Sequence, residues 1–330
     1  GASLTIPGMT AGGYGVSCPV GRRHPVTSET EVPRRTDDID NCRLVASMVR
    51  VMIDCWRGIP MTFPPSDRTP FRLNPLADVT FEVAYSRDLR VESTPPAEFH
   101  SSLKSRFPEV SDRHVPAVPE IAKQIASAVL SKTAEHSVDA ATRREWVFEG
   151  DDGVVTLSSS NTSLATHNYS RWDRFVGDIR LVANALDEVY GIKEQHLLSL
   201  RYRNIIMRSA LELPESMPWD RLISAPFIGE LADPLLRTAI TSSRRMMTMT
   251  LDDGTTKCRL QHGLAKAEYE DGTIESVYVI DSCFICELDT DWSGVFERLD
   301  HFNKQAGNLF RWMLTDELIA HLGTNAQDDQ

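Results

Sequence analysis

The chain has 330 residues, 41% hydrophobic and 25% charged, with a formal net charge of -12. That is a globular composition, long enough for one large domain or two medium ones, with a core that needs no disulfide or metal. The acidic balance argues against a nucleic-acid partner, which needs a basic footprint. Apolar runs fall well short of the roughly 20 residues that span a bilayer, so no membrane is expected. Six scattered cysteines make no disulfide scaffold, and the expected setting is a reducing cytoplasm. The opening residues do not read as a signal peptide, and Met9 is the expected natural start.

Residues 1–36 are rich in Gly, Pro, Ser, Thr and Arg without periodicity and read as a disordered arm. Over residues 37–57, Ile39, Cys42, Val45, Val49, Met52, Ile53 and Trp56 recur at helical spacing behind Asp37 and Asp38, which predicts an amphipathic helix. Arg43, Arg50 and Arg57 repeat every seven residues on it. Their simplest reading is a solvated face; their functional reading is a docking stripe for an acidic partner. Residues 58–70 hold Pro60, Pro64, Pro65 and Pro70 and read as a linker, so the core is expected to begin at Phe71.

A first α+β half is predicted over 71–210. Residues 79–85 alternate as a strand. Thr94-Pro95-Pro96 opens a helix with Thr94 as cap and Phe99, Leu103 and Phe107 on its buried stripe. Another helix is expected over 119–134. Trp146-Val147-Phe148, the turn Asp151-Asp152-Gly153 and Val154-Val155-Thr156-Leu157 form a hairpin, and residues 163–167 complete a meander. A helix over 170–190 begins at Ser170-Arg171-Trp172-Asp173, a capping-box arrangement, with Trp172, Phe175, Ile179, Val182 and Leu186 on its apolar face. A strand over 197–206 closes this half. Residues 211–235, with four prolines, read as a loop-and-short-helix insertion.

The second half, 236–322, repeats the order. Residues 246–251, the turn Asp252-Asp253-Gly254, residues 255–264 and residues 274–288 form a meander. A helix then runs from Asp291 to Leu322, and a short tail covers 323–330. The expected fold is α+β, with antiparallel meander sheets each covered by a long helix, either as a duplicated half or as two unrelated sheets.

Several patterns invite chemistry. Cys283 and Cys286, with Cys258 and His262, suggest zinc. On a strand, however, residues three apart face opposite sides, which favours buried structural cysteines. Glu287, Asp289 and Asp291 precede a helix and read as capping acids rather than as a metal cluster. Gly12-Gly13-Tyr14-Gly15 lacks the strand and the third glycine of a nucleotide fingerprint. Arg244 and Arg245 with Met246, Met247 and Met249 make a basic-hydrophobic patch that is partly core. No catalytic set, cofactor or metal site is predicted. The predicted binding residues are Arg201, Tyr202 and Asn204, polar groups in an otherwise apolar strand. Arg201 needs an anionic partner, either an internal carboxylate or a ligand.

An ordered series of motifs runs from residue 73 to 323: Phe81-Glu82-Val83, Trp146-Val147-Phe148, the Tyr-x-x-Trp-x-x-Phe run from Tyr169 to Phe175, Arg201-Tyr202-Arg203-Asn204, and Phe310-Arg311-Trp312 followed by Thr315-Asp316. In this series the chain resembles a sporadically distributed prokaryotic family of uncharacterised function. It departs from the family's pattern at Ser199, where a glycine is usual. The family's patchy distribution implies an association with defence or mobile loci. The expected function is a non-enzymatic binding or adaptor protein whose partner is another protein, with homo-oligomerisation an open alternative. The rivals are an enzyme or a small-ligand sensor with a pocket between sheet and helix.

Overall fold

A computed structural model of the protein describes residues 62–67, 69–116, 142–269 and 271–323. The predicted arm, the 37–57 helix with Arg43, Arg50 and Arg57, the 119–134 helix and residues 324–330 lie outside the described residues.

The fold is α+β. In the first half come β1 (Leu76–Ala84), the short helices α1 (Arg90–Ser93) and α2 (Ala97–Leu103), β2 (Glu109–Pro116), β3 (Thr142–Gly150), β4 (Gly153–Leu157), β5 (Asn161–Thr166) and the long helix α3 (Trp172–Tyr190). β6 (Gln195–Ile206), expected to close the first half, instead opens the second side of the sheet, and is followed in the insertion by α4 (Ala225–Ile228) between the 3-10 turns Trp219–Arg221 and Gly229–Ala232, and then by α5 (Leu236–Ala239). The second side continues through β7 (Arg245–Thr250), β8 (Lys257–Glu268), β9 (Ile274–Thr290), the long helix α6 (Trp292–Met313) and α7 (Asp316–Leu322).

The two meanders belong to one nine-stranded sheet, in the order β2-β3-β4-β5-β1-β6-β9-β8-β7. β1 and β6 pair antiparallel at its centre, with Phe81 opposite Leu200, and β6 pairs with β9, with Leu200 opposite Phe284. Both central strands carry large apolar residues; as edges of separate sheets each would leave a row of unpaired N–H and C=O groups. Outward from the central pair, β1-β5-β4-β3 on one side mirrors β6-β9-β8-β7 on the other. β2 extends the first side only. It was not expected as a strand, because Asp112, Arg113 and His114 break apolar alternation, and it lies at the sheet's edge with most of its side chains exposed.

Both long helices pack on the face that carries Phe81, Leu200 and Phe284. Phe175, Ile179, Val182 and Leu186 of α3 and Val295, Leu299, Phe302 and Leu309 of α6 are buried there. Phe302 and Phe284 stack with ring centroids 6.0 Å apart.

The core begins before Phe71. Phe63 is wholly buried, edge-on to Phe284 at 6.4 Å and 6.2 Å from Trp312. Its N–H donates to Gln305 Oε1 at 3.4 Å, Ser66 donates twice to Asn308 Oδ1, and Arg311 donates to the Thr69 carbonyl. The described part of the proline-rich segment is therefore a strap along α6 rather than a linker ahead of the core. Its prolines remove ladder donors, and the N–H groups of Phe63 and Ser66 donate instead to side-chain amides on the helix.

Two helix boundaries also differ from expectation. α3 starts after an extended Arg171 with no side-chain cap, so Ser170 does not cap it, and Thr94 ends α1 rather than capping α2. The C-terminal helix stops at Met313. Leu314 is extended and bridges Ile223, the Thr315 N–H donates to the Leu222 carbonyl at 3.1 Å, and Thr315 Oγ1 caps α7 through Leu318 N–H. The insertion supplies a strand-like partner there, which outweighs continued helix.

Candidate functional site

The pleat of β6 divides the three predicted binding residues. Tyr202 and Asn204 face the helices, with Leu198 and Leu200; Arg201 faces the other side, with Ser199 and Arg203. There Arg201 Nε donates to Asp281 Oδ1 at 2.7 Å, with a second bond from Nη2 to the other oxygen. Arg203 Nε donates to Asp78 Oδ2 at 2.6 Å. The bonds to Asp281 raise the Arg201 pKa. These two ion pairs cross β1, β6 and β9 and join the sides of the sheet. Arg201 thus has an internal carboxylate partner and leaves the candidate binding set.

Tyr202 and Asn204 line a cavity of about 290 Å³ between sheet and helices. Asn303, Ala306 and Phe310 of α6 form one wall, Tyr169 and Trp172 at the head of α3 another, and Thr69, Pro70 and Phe71 of the strap a third. Its polar groups are held in place. Tyr202 OH donates to Asn303 Oδ1 at 3.0 Å, and the Trp172 indole donates to Asp300 Oδ1 at 2.8 Å. Tyr169 and Tyr202 meet edge to face at 6.3 Å, Phe71 and Phe310 at 6.2 Å, and the Arg311 guanidinium lies 4.1 Å from the Phe71 ring centre.

Asn204 differs from these. It is only 5% exposed, its cross-strand neighbours are the aliphatic Leu76 and Ile280, and its amide makes no hydrogen bond among the described residues. An amide carries two donors and an acceptor, and those of Asn204 lie on the cavity wall. The cavity is where a partner for it can enter.

The other sequence patterns resolve differently. The register of β8 and β9 sets Cys283 opposite Arg201 and Arg259, on the face away from Cys258, His262 and Cys286. His262 Nδ1 lies 2.7 Å from Tyr278 OH; burial first, and then the Arg245 cation, push its pKa down to about 4. Asp291 caps α6 by accepting from Gly294 N–H at 3.2 Å. In the basic-hydrophobic patch, Arg245 pairs with Glu230 and Arg244 donates to Gln261, Met247 and Met249 pack on the core, and Met246 is exposed. Trp172 is half-buried beside the fully packed Phe175, so it serves the cavity wall more than the core.

Sequence reasoning missed Asn303 and Phe310. Their signal was present: Asn303, Ala306 and Phe310 recur at helical spacing, and Asn303, Gln305 and Asn308 put three amides on a helix whose neighbouring positions are apolar.

No protein-family model matches the chain, and no curated protein matches it. No helix among the described residues is long and apolar enough to cross a membrane.

Proposed function

We propose that the protein is a non-enzymatic binding protein that takes a small ligand in the cavity between sheet and helices. What supports this reading is Asn204, whose amide makes no hydrogen bond among the described residues and opens on an aromatic-walled space. A planar, uncharged ligand with an amide-like edge suits such a site: it satisfies Asn204 and lies against Tyr169, Trp172 and Phe310. The strap forms one wall, so occupancy bears on the segment that leads from the first 61 residues. The wider role as an adaptor for another protein in a defence or mobile locus rests on the family resemblance, and inspection of the neighbouring genes tests it.

The binding reading is tested by mass spectrometry of denatured, freshly purified protein and by thermal-shift screening against small heteroaromatic amides. Asn204→Leu keeps the volume but removes the amide. It is expected to hold or raise the melting temperature and to abolish both the co-purified molecule and the thermal shift. Ala306→Leu, which fills the cavity from α6, is expected to do the same. Ligand binding that survives both substitutions removes the cavity as the site.

A further inference from the structure

A larger cleft, of about 1080 Å³, lies where β6 runs into the insertion. Arg208 lines it and is only 8% exposed. Its Nε donates to the Met217 carbonyl at 2.8 Å, and its guanidinium carbon sits 3.6 Å from the centre of the Trp219 ring. Unlike Arg106, Arg201 and Arg203, it forms no ion pair among the described residues, and its terminal nitrogens make no hydrogen bond there. Burial lowers its pKa, against the opposing pull of the nearby Glu275 and Glu215 carboxylates. A guanidinium held by stacking and by one bond at Nε presents its two terminal nitrogens side by side, the geometry that receives a carboxylate through two hydrogen bonds.

The rest of the cleft narrows the ligand. Leu213, Ile240, Leu264 and Ile274 supply apolar surface. Glu215, Asp271 and Glu275 also line it, with Glu275 held by Ser209 and Tyr269, as does a second cation, Arg237, which pairs with Asp220 at 3.7 Å. Three carboxylates against two guanidiniums disfavour a phosphate or any polyanion more than they disfavour a single negative charge seated on Arg208. We infer that this cleft is a second binding site, specific for a single carboxylate on an apolar body, with Arg208 as its anchor. Such a group belongs either to a free apolar acid or to the C-terminal residue of a polypeptide. The inference stands independently of the Asn204 cavity.

The test uses the full chain and calorimetric titration with N-acetyl-leucine, N-acetyl-leucinamide, inorganic phosphate and the peptide acetyl-Gly-Gly-Leu. The free acid or the peptide is expected to bind saturably, with the amide weaker by about tenfold or more and phosphate not competing. The tighter of acid and peptide identifies the source. Arg208→Met, which keeps an apolar contact on Trp219, is expected to lose about tenfold or more in affinity. Glu215→Gln, at an exposed position where folding is not at stake, is expected to tighten binding about two- to threefold by removing a like charge. The proposal is overturned if acid and amide bind alike, if neither acid nor peptide binds, if phosphate competes equally, or if the Glu215 variant weakens binding.

Discussion

The two sides of the sheet share one order of elements, a central strand, an excursion, a meander and a long helix, but they flank their helices differently. Beside α3 lies α2, whose Phe99 and Leu103 are buried and which forms within the first side's own excursion. Along α6 lies the strap, which precedes β1 in sequence and sends Phe63 between Phe284 and Trp312. The first side is thus completed by its own residues, and the second by residues from the opposite end of the chain. The cavity sits where this difference is greatest, with one wall on the strap and another at the head of α3. Similar topology does not make the sides equivalent; what fills the space beside each helix decides where a pocket opens.

The largest expected effect tests that contrast directly. Phe63→Ala and Phe99→Ala each remove a buried aromatic ring beside one of the long helices and are expected to cost about 3–5 kcal/mol in urea unfolding. Removing residues 1–70 is expected to cost at least as much as Phe63→Ala. A loss under about 1 kcal/mol for Phe63→Ala would reduce the strap to decoration and erase the asymmetry.

Next in size is a pH effect confined to the second side. His262 is buried, its Nε2 makes no hydrogen bond among the described residues, and its folded pKa is near 4. An unfolded histidine titrates near 6.5, so the unfolded chain binds the extra proton between these values. Stability is therefore full above about pH 6.5 and falls as pH drops toward 4, by up to about 3 kcal/mol. His262→Gln is expected to flatten that part of the stability–pH curve. An unchanged slope would assign it to other groups.

A smaller effect concerns the charges that join the sides. Arg201→Met leaves Asp281 buried without its guanidinium and is expected to cost about 1–3 kcal/mol, with Arg203→Met doing the same to Asp78. Adding Asp281→Leu to the first variant should recover most of the loss. If Arg201→Met leaves stability intact while ligand binding is lost, Arg201 returns to the candidate site.

The smallest expected effect lies at the ends of the helices. α3 closes on Gly191 at φ +69°, whereas α6 ends on extended Leu314. Gly191→Ala meets no atom within 4 Å of the added Cβ, so only backbone strain remains, about 1 kcal/mol by thermal unfolding. A neutral result would mean that the Schellman turn after α3 contributes little.

How far the sequence reaches follows from which forces are local. The alternation at 79–85, the Asp151-Asp152-Gly153 turn and the apolar stripe from Phe175 to Leu186 are short-range patterns, and they stand where they were expected. The same alternation places Tyr202 and Asn204 on one face and Arg201 on the other. Which face holds a pocket, and that Asp281 answers Arg201, depend on β6 pairing with β9, which no local pattern encodes. The burial of Phe63 was hidden by the prolines around it, since proline-rich composition signals the absence of regular hydrogen bonding, not the absence of packing. The break at Leu314 was equally invisible, because its partner, Ile223, lies in the insertion.

The antiparallel pairing of β1 with β6 has a kinetic consequence. The hairpins β3–β4 and β7–β8 close over short loops, but the centre of the sheet forms only when residue 81 meets residue 200 and residue 200 meets residue 284. Loop-closure entropy must be overcome before those contacts return any stability, so refolding is expected to be limited by the middle of the sheet while its outer hairpins assemble early. Until that seam closes, both central strands present bare edges, which makes the half-assembled chain most prone to aggregate at the place where the finished protein is most deeply buried.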